Sequence, residues 1–403
     1  MKRRYYSYGI GAILLLALAL RLHYVLTYPF EPVNYDQLNY TKLAIQWLEK
    51  GVYAYRDTAP NTLVTPGFPA FLTAILGLFG YEPLEPALMT VRIIQCFVAL
   101  GAIFFIYKIG ERLFHPATGL LAALFAAVHP SYAVSVSLIL TEVLFLTCFT
   151  AFLYFQVRVI QDNKPWDHVG MGILLGLTVL IRPNVLPLAV VPYFFLWFTH
   201  RKLFLPMIVR SVAAFAIIMM PWWIRNALTF HTFIPIAKGE SGNPFLGGTD
   251  PYFRGTIDWG SIKEEDQMKE GIRRLKEGLR EDPSLWIRWY TIGKFKVFNL
   301  HIWQGAYPSY VPQWYATLIQ KLHFALVYIG WPALPLLSLM RSRSALYLTV
   351  SLFIFYGIHA MFIPVDRYIY GMLPFLMLGT AQLLVTGMEL LLRKQFIKNP
   401  VRT

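Results

Sequence analysis

An all-α polytopic membrane protein is the fold class this sequence predicts, and three observations predict it. The chain is 56% hydrophobic and only 14% charged, where a soluble domain of 403 residues would expose far more charge. About ten apolar runs of roughly 20 residues are present, the length a helix needs to cross about 30 Å of hydrocarbon. Without water, backbone hydrogen bonding permits only helices or a closed barrel, and continuous apolar runs fit helices. Finally, every connection that alternates to one side is basic: Lys2 to Arg4, Lys108 with Arg112, Arg158 with Lys164, Arg201 with Lys202, Arg341 with Arg343, and Arg393 with Lys394. The positive-inside rule makes that side, with both termini, cytoplasmic. The net charge of +14 therefore reports orientation, and no nucleic-acid partner is read from it.

The predicted spans are 8–28, 88–110, 116–134, 142–157, 168–181, 185–199, 204–224, 315–340, 344–364 and 370–392. The first follows Lys2-Arg3-Arg4 and lacks a small-residue cleavage site, so it reads as a retained signal anchor. The first outer loop, 29–69, is too polar for lipid and carries Asn34-Tyr35-Asp36-Gln37. From there Tyr40, Leu43, Ala44, Trp47 and Leu48 recur at one-sided helical spacing, opposite Lys42, Gln46, Glu49 and Lys50. Such a helix lies along a surface. Thr65-Pro66-Gly67-Phe68-Pro69 makes a rigid turn into a short apolar run, 66–80. If that run crossed, Lys108 and Arg112 would move outside and every later loop would invert, so 66–80 is predicted to be a juxtamembrane helix on the outer face. Cys96 and Cys148 fall within apolar spans, and no disulfide is expected.

The long outer segment, 226–312, follows Pro221-Trp222-Trp223-Ile224-Arg225-Asn226. It passes through a turn-rich stretch, Gly239 to Asn243 with Gly247-Gly248. Ser261 to Glu281 reads as a charged helix with little apolar face. In Ser284 to Trp303, the aromatics Trp286, Trp289, Tyr290, Phe295, Phe298 and Trp303 mix with Arg288, Lys294 and Lys296, which suits a helix in the headgroup layer. The whole chain, 1–403, reads as one transmembrane domain with no separate soluble part.

Ionisable groups at the ends of spans are costly unless they face protein or water, which makes them candidates for function. Asp36 reads equally as a general base and as a cap for the helix it precedes. Glu142 reads equally as a site acid and as a dipole complement at a helix start, with Thr141 as cap. Outer-side cations are Arg21, Arg56, Arg92, Arg182, Arg225, Lys294 and Arg367. Any one alone is more often a snorkelling anchor than a ligand, although Arg21 and Arg92 lie within spans rather than at their ends. His23, His129, His231, His301 and His359 show no metal-ligand spacing. Asn39-Tyr40-Thr41 matches an N-glycosylation triplet but falls inside the predicted surface helix. No Gly-rich phosphate loop is present, so a nucleotide-sugar donor lacks support.

Taken together, the loop aspartate after span one, the amphipathic helix, the Pro66-Gly67-Phe68-Pro69 turn, Thr141-Glu142, Arg182-Pro183, Pro221-Trp222-x-x-Arg225-Asn226 and Arg367-Tyr368 resemble the C-type glycosyltransferases. The nearest branch is that of the protein O-mannosyltransferases and the bacterial aminoarabinose transferase of lipid A, glycosyltransferase family 39-like. What the resemblance implies is an inverting hexosyl or pentosyl transfer from a polyprenyl-phosphate sugar to a hydroxyl on a lipid, glycan or protein. The site would lie on the outer face of a bacterial inner membrane. By the same resemblance Asp36 would take the acceptor proton, and Glu142 would be the second outer-loop acid of the pocket. A departing phosphate asks for cations, and Arg367, Arg225 and Lys294 lead the candidates, with Arg92, Arg21 and Tyr368 behind them. No cofactor is expected; Asp36-Gln37 stands where mannosyltransferases carry paired acids, and a divalent metal stays an open alternative. Two other readings are a transporter or lipid flippase, which expects interrupted helices and ionisable groups at mid-membrane, and a non-catalytic assembly partner.

Overall fold

Pro130 and Pro183 interrupt apolar runs of this chain and those breaks shape the architecture, while Pro221, Pro332 and Pro335 lie inside long helices. A computed structural model describes residues 2–27, 32–238, 242–303 and 313–398, and among them there are helices and connections but no strand. The helices are α1 (Lys2–Thr27), α2 (Tyr35–Lys50), α3 (Gly67–Phe79), α4 (Leu84–Leu113), α5 (Pro116–Val128), α6 (Pro130–Val134), α7 (Glu142–Asp162), α8 (Pro165–Ile181), α9 (Val191–His200) and α10 (Leu205–Phe230). After the first long outer stretch come α11 (Gly242–Gly247), α12 (Gln267–Glu281), α13 (Pro283–Arg288), α14 (Lys294–Leu300), α15 (Gln313–Leu339), α16 (Arg343–Ala360) and α17 (Leu373–Lys398).

The protein is an all-α, multi-pass membrane protein. Among the described residues six helices are long and apolar enough to cross a bilayer, and α5 with the α6 region, bent by 62°, makes a seventh if the pair is one span. The predicted span 116–134 is therefore interrupted. His129 takes extended backbone because Pro130 disfavours a helical residue before it. The predicted span 185–199 likewise opens as a 3-10 stretch, Pro183–Val190, before α9, and the predicted 66–80 run is the helix α3.

Neighbours pack in the series α10, α8, α7, α4, α5, α17, α15 and α16, with α1 laid against α4 and α5. Lipid tails are as apolar as leucine, so contact rests on close approach and shape. A Cβ on Gly110 would sit 2.7 Å from the Gly119 Cα, so α4 and α5 touch backbone to backbone. Between α7, α16 and α17 an aromatic column stacks Phe145 on Phe149 at 5.3 Å and Phe149 on Phe355 at 5.0 Å. At one end of the bundle Arg112 pairs with Asp162 at 3.0 Å and Arg158 with Asp167 at 2.5 Å. The opposite end carries Asp36 and Glu142.

The aromatic-rich stretch 284–303 corrects an expectation. It is helical, with a π turn at Trp289–Gly293, but Trp286, Trp289, Phe298 and Trp303 are buried in protein. Trp289 donates from Nε1 to the Gly248 carbonyl at 3.0 Å. The helix α12 also has an inner face, where Gly271 and Gln267 pack on α11. Of the turn-rich stretch, Gly239 to Ser241 lies outside the described residues.

The basic end is expected to face the cytoplasm. In cells carrying Ala59→Cys or Lys164→Cys, both exposed positions, a membrane-impermeant maleimide should label position 59 directly and position 164 only after permeabilisation. The reverse pattern would place the acidic end inside.

Candidate active site

The first turn of α2 presents Asp36. Asn34 is the residue before the helix and makes no side-chain cap, and Tyr35 has φ 44°, a left-handed conformation rare outside glycine. The Asp36 carboxylate is not spent on capping. It accepts from the Tyr55 hydroxyl at 3.0 Å and from Arg56 at 3.1 Å, and Arg367 lies 3.6 Å from its other oxygen. Arg56 also has positive φ, 58°. Two strained residues thus flank one carboxylate pair, a pattern that clusters at functional sites.

Asp36 lines a cavity of about 450 Å³ together with Tyr40, Glu142, Arg182, His359 and Arg367. Glu142 is the first residue of α7 and is buried. Its charge is met by Arg182, which bonds it directly and also donates from Nε to the Thr141 hydroxyl at 2.8 Å; that hydroxyl donates to Glu142 at 3.3 Å. Arg182 lies over the Phe145 ring at 5.4 Å, the top of the aromatic column. It is available because Pro183 stops α8 and leaves Arg182 extended. The first loop returns to this point. Thr65 donates to the Ile181 carbonyl at 3.2 Å, and a Cβ on Gly67 would meet the Leu180 carbonyl at 2.7 Å, so only glycine fits.

Across the cavity, Arg367 and Tyr368 lie on a 3-10 turn, Asp366–Gly371, after α16. Burial works against the Arg367 charge, but Glu142, Tyr368, Asp36 and Tyr40 outweigh it and raise its pKa, so it stays a cation. Burial, with Tyr55, Asp36 and Glu142 nearby, pushes the Tyr40 hydroxyl well up, and it stays protonated. His359 donates from Nδ1 to the Phe355 carbonyl at 2.7 Å, which leaves Nε2 to accept from the Asn184 amide at 2.7 Å.

The structure brings together Asp36, Glu142, Arg367 and Tyr368. It places the other predicted phosphate cations elsewhere, each for a visible reason. Arg21 is buried against the break in α5 and donates to the carbonyls of Ala127 at 3.1 Å, Ala126 at 3.3 Å and Ala17 at 3.0 Å. Arg92 donates to the Ser137 carbonyl at 3.0 Å, beside Gln95, which bonds Val136 and Leu138. Lys294 is buried behind the cavity wall and donates to the carbonyls of Ala360 at 2.7 Å and Phe362 at 3.0 Å. Arg225 lines a second, largely apolar cavity of about 380 Å³, where it donates to the carbonyls of Tyr53 and Asn61.

Sequence reasoning left Tyr40, Asn184 and His359 out of the site and did not single out Arg182 among the outer cations. Only the Arg182-Pro183-Asn184 string pointed there. The donor set does not fit a metal ion. Asp36 is ringed by two arginines, the Gln37 side chain accepts from the Ile139 amide at 3.0 Å, and Glu142 is taken by Arg182. Among the described residues no group of three His, Cys, Asp or Glu converges.

Residues 64–224 match the family model described as dolichyl-phosphate-mannose-protein mannosyltransferase. Among solved structures, the oligosaccharyltransferase AglB from Archaeoglobus fulgidus, in complex with an inhibitory peptide and a dolichol-phosphate, is similar at TM-score 0.60 and 16% identity. The match covers 100% of this chain and 52% of that one. The A. fulgidus oligosaccharyltransferase tethered with an acceptor peptide gives TM-score 0.64 at 14% identity, over 99% of this chain and 51% of that one. ArnT from Cupriavidus metallidurans bound to undecaprenyl phosphate gives 0.53 at 13% identity, over 98% of this chain and 64% of that one. The chain thus spans about half the length of the oligosaccharyltransferase it matches. No curated protein matches the sequence.

Two predictions follow from the corrected cations. Arg21→Leu should cost roughly 1–3 kcal/mol for each orphaned carbonyl, read as a lower melting midpoint. Burial pushes the Lys294 ammonium down to about 7. Between that value and the ordinary lysine range the unfolded chain holds a proton that the folded chain has released, so stability should rise with pH, by up to about 1.4 kcal/mol per unit. Melting midpoints measured from pH 7 to 9.5 should climb in the wild type and flatten in Lys294→Met.

Proposed function

Given a chain with the C-type glycosyltransferase fold and a sequence resembling the protein O-mannosyltransferase and lipid A aminoarabinose transferase branch, we propose that it is a membrane glycosyltransferase. It moves a hexose or pentose from a polyprenyl phosphate to an acceptor hydroxyl on a lipid, glycan or protein. The observation that carries this reading is the carboxylate of Asp36, about a third exposed, beside Arg367 in a cavity that also holds the Glu142–Arg182 pair.

The chemistry needs a base for the acceptor and a cation for the departing phosphate, and because Asp36 and Arg367 lie 3.6 Å apart, the donor must part them to sit between. As the acceptor oxygen bonds to the anomeric carbon, Asp36 takes its proton, and the bond from that carbon to the phosphate oxygen breaks. The electron pair leaves with the lipid phosphate, whose charge Arg367 meets. A single displacement of this kind inverts the anomeric centre. Arg56 is half exposed and gives way to the acceptor hydroxyl. Arg182 holds Glu142 and the wall in place. The largely apolar second cavity beside Arg225 suits the first isoprene units of the donor. The basic far end of the bundle supports an extracytoplasmic site, with both termini in the cytoplasm.

One observation favours a transporter, namely the broken α5–α6 helix with buried Arg21 inside the bundle. Its freed carbonyls are already bonded by Arg21, Arg92 and Gln95, and the void beside Arg21 is only about 10 Å³. The break is thus filled by protein groups, which favours the enzyme reading.

Asp36→Asn should lower lipid phosphate release from polyprenyl-phosphate sugars by about 10²–10⁴-fold, with donor binding retained. Turnover near wild type in a folded Asp36→Asn protein would end the assignment of the base.

A further inference from the structure

The buried aromatics of 284–303 leave the opposite side of that helix unexplained. On it Ile287 and Ile292 are exposed, and Tyr252 and Phe253 continue the apolar surface. Both of the latter rings lie against Trp289, at 5.0 and 5.6 Å, which holds them beside this helix. The loop that presents them is strained and fixed. Tyr252 and Phe253 have φ 58° and 56°, and the Asp250 carboxylate accepts from the amides of Gly255 at 2.9 Å and Thr256 at 3.2 Å. Consecutive left-handed residues without glycine cost about 1–3 kcal/mol each, which a chain with no use for two outward rings would avoid.

Exposed Arg254, Arg288 and Lys296 rim the patch. None of them enters an ion pair among the described residues, whereas nearby Arg273 pairs with both Glu270 and Glu277. Position fixes the occupant. Phe295 of the same helix packs on Trp331 of α15 and Tyr356 of α16, at 5.2 and 6.3 Å, so α14 lies beside two spans rather than above them in water. The geometry points to this patch as a docking surface for anionic phospholipid headgroups, with Ile287, Ile292, Tyr252 and Phe253 inserted among them and Arg254, Arg288 and Lys296 on the phosphates. The headgroup layer is thus met by a face different from the one its aromatic content suggests. Through Lys294, whose amine holds the Ala360 and Phe362 carbonyls, the docked helix is tied to the end of α16.

The test uses full-length protein with Cys96 and Cys148 replaced by serine, in nanodiscs of phosphatidylcholine with or without phosphatidylglycerol. An environment-sensitive fluorophore is placed at Ile292→Cys or, as a water-facing control, at Lys269→Cys. Position 292 should be quenched several-fold more by headgroup-nitroxide lipid than position 269, and less by aqueous iodide. The difference should grow with phosphatidylglycerol and shrink in Arg254→Glu/Arg288→Glu/Lys296→Glu. Equal iodide access at the two positions would overturn the docking surface, and lipid quenching indifferent to both phosphatidylglycerol and charge reversal would overturn its anionic partner. The fluorescence readout needs no turnover, so it stands or falls apart from the proposed reaction.

Discussion

A helix that stops inside a bilayer leaves carbonyl oxygens without donors, and no water is there to serve them. This chain stops helices repeatedly near one end of its bundle, and it meets each stop with a cation. Arg21 takes the last carbonyls of α5, and Arg92 with Gln95 takes those around the 3-10 turn after α6. Lys294 takes those at the end of α16. Cations at helix C-termini also oppose the helix dipole. These three lie away from the cavity, where the backbone has a need for them. Once they are assigned, the charges left at the cavity are Arg56, Arg182 and Arg367 against Asp36 and Glu142.

That remainder explains why the acids differ. Glu142 is buried, with Arg182 and Thr141 on its oxygens, and acts as a fixed part of the wall. Asp36 is partly exposed, and one of its two arginines is half in solvent, so its oxygens can be uncovered at little cost. Gln37 spends its side chain on the Ile139 amide, tying the first loop to the link before α7. A carboxylate at that position could accept the same bond, but it would set a second negative charge one residue from Asp36.

Much of this was legible in the sequence, because membrane crossing depends on local composition. The predicted span at 142–157 is α7 at Glu142–Asp162, that at 168–181 is α8 at Pro165–Ile181, and the predicted helix after Asp36 is α2. The break at His129 was missed even though Pro130 was in view, since the run stays apolar through it. Asp36 stood out as an acid set just beyond a span. Arg182 did not, because its partner lies 40 positions away and only packing of α7 on α8 unites them. The stretch 284–303 misled for a related reason. Tryptophans beside lysines describe both a headgroup helix and a helix packed on protein, and only the fold places Trp289 and Lys294 inward.

The cavity draws its walls from both ends of the chain, with Asp36 and Tyr40 near the start and Arg367 and Tyr368 near the finish. During synthesis Asp36 and Glu142 are therefore made long before Arg367. A nascent chain holds Asp36 with Tyr55 and Arg56 but still lacks Arg367, so the cavity is completed only when the last helices join the bundle.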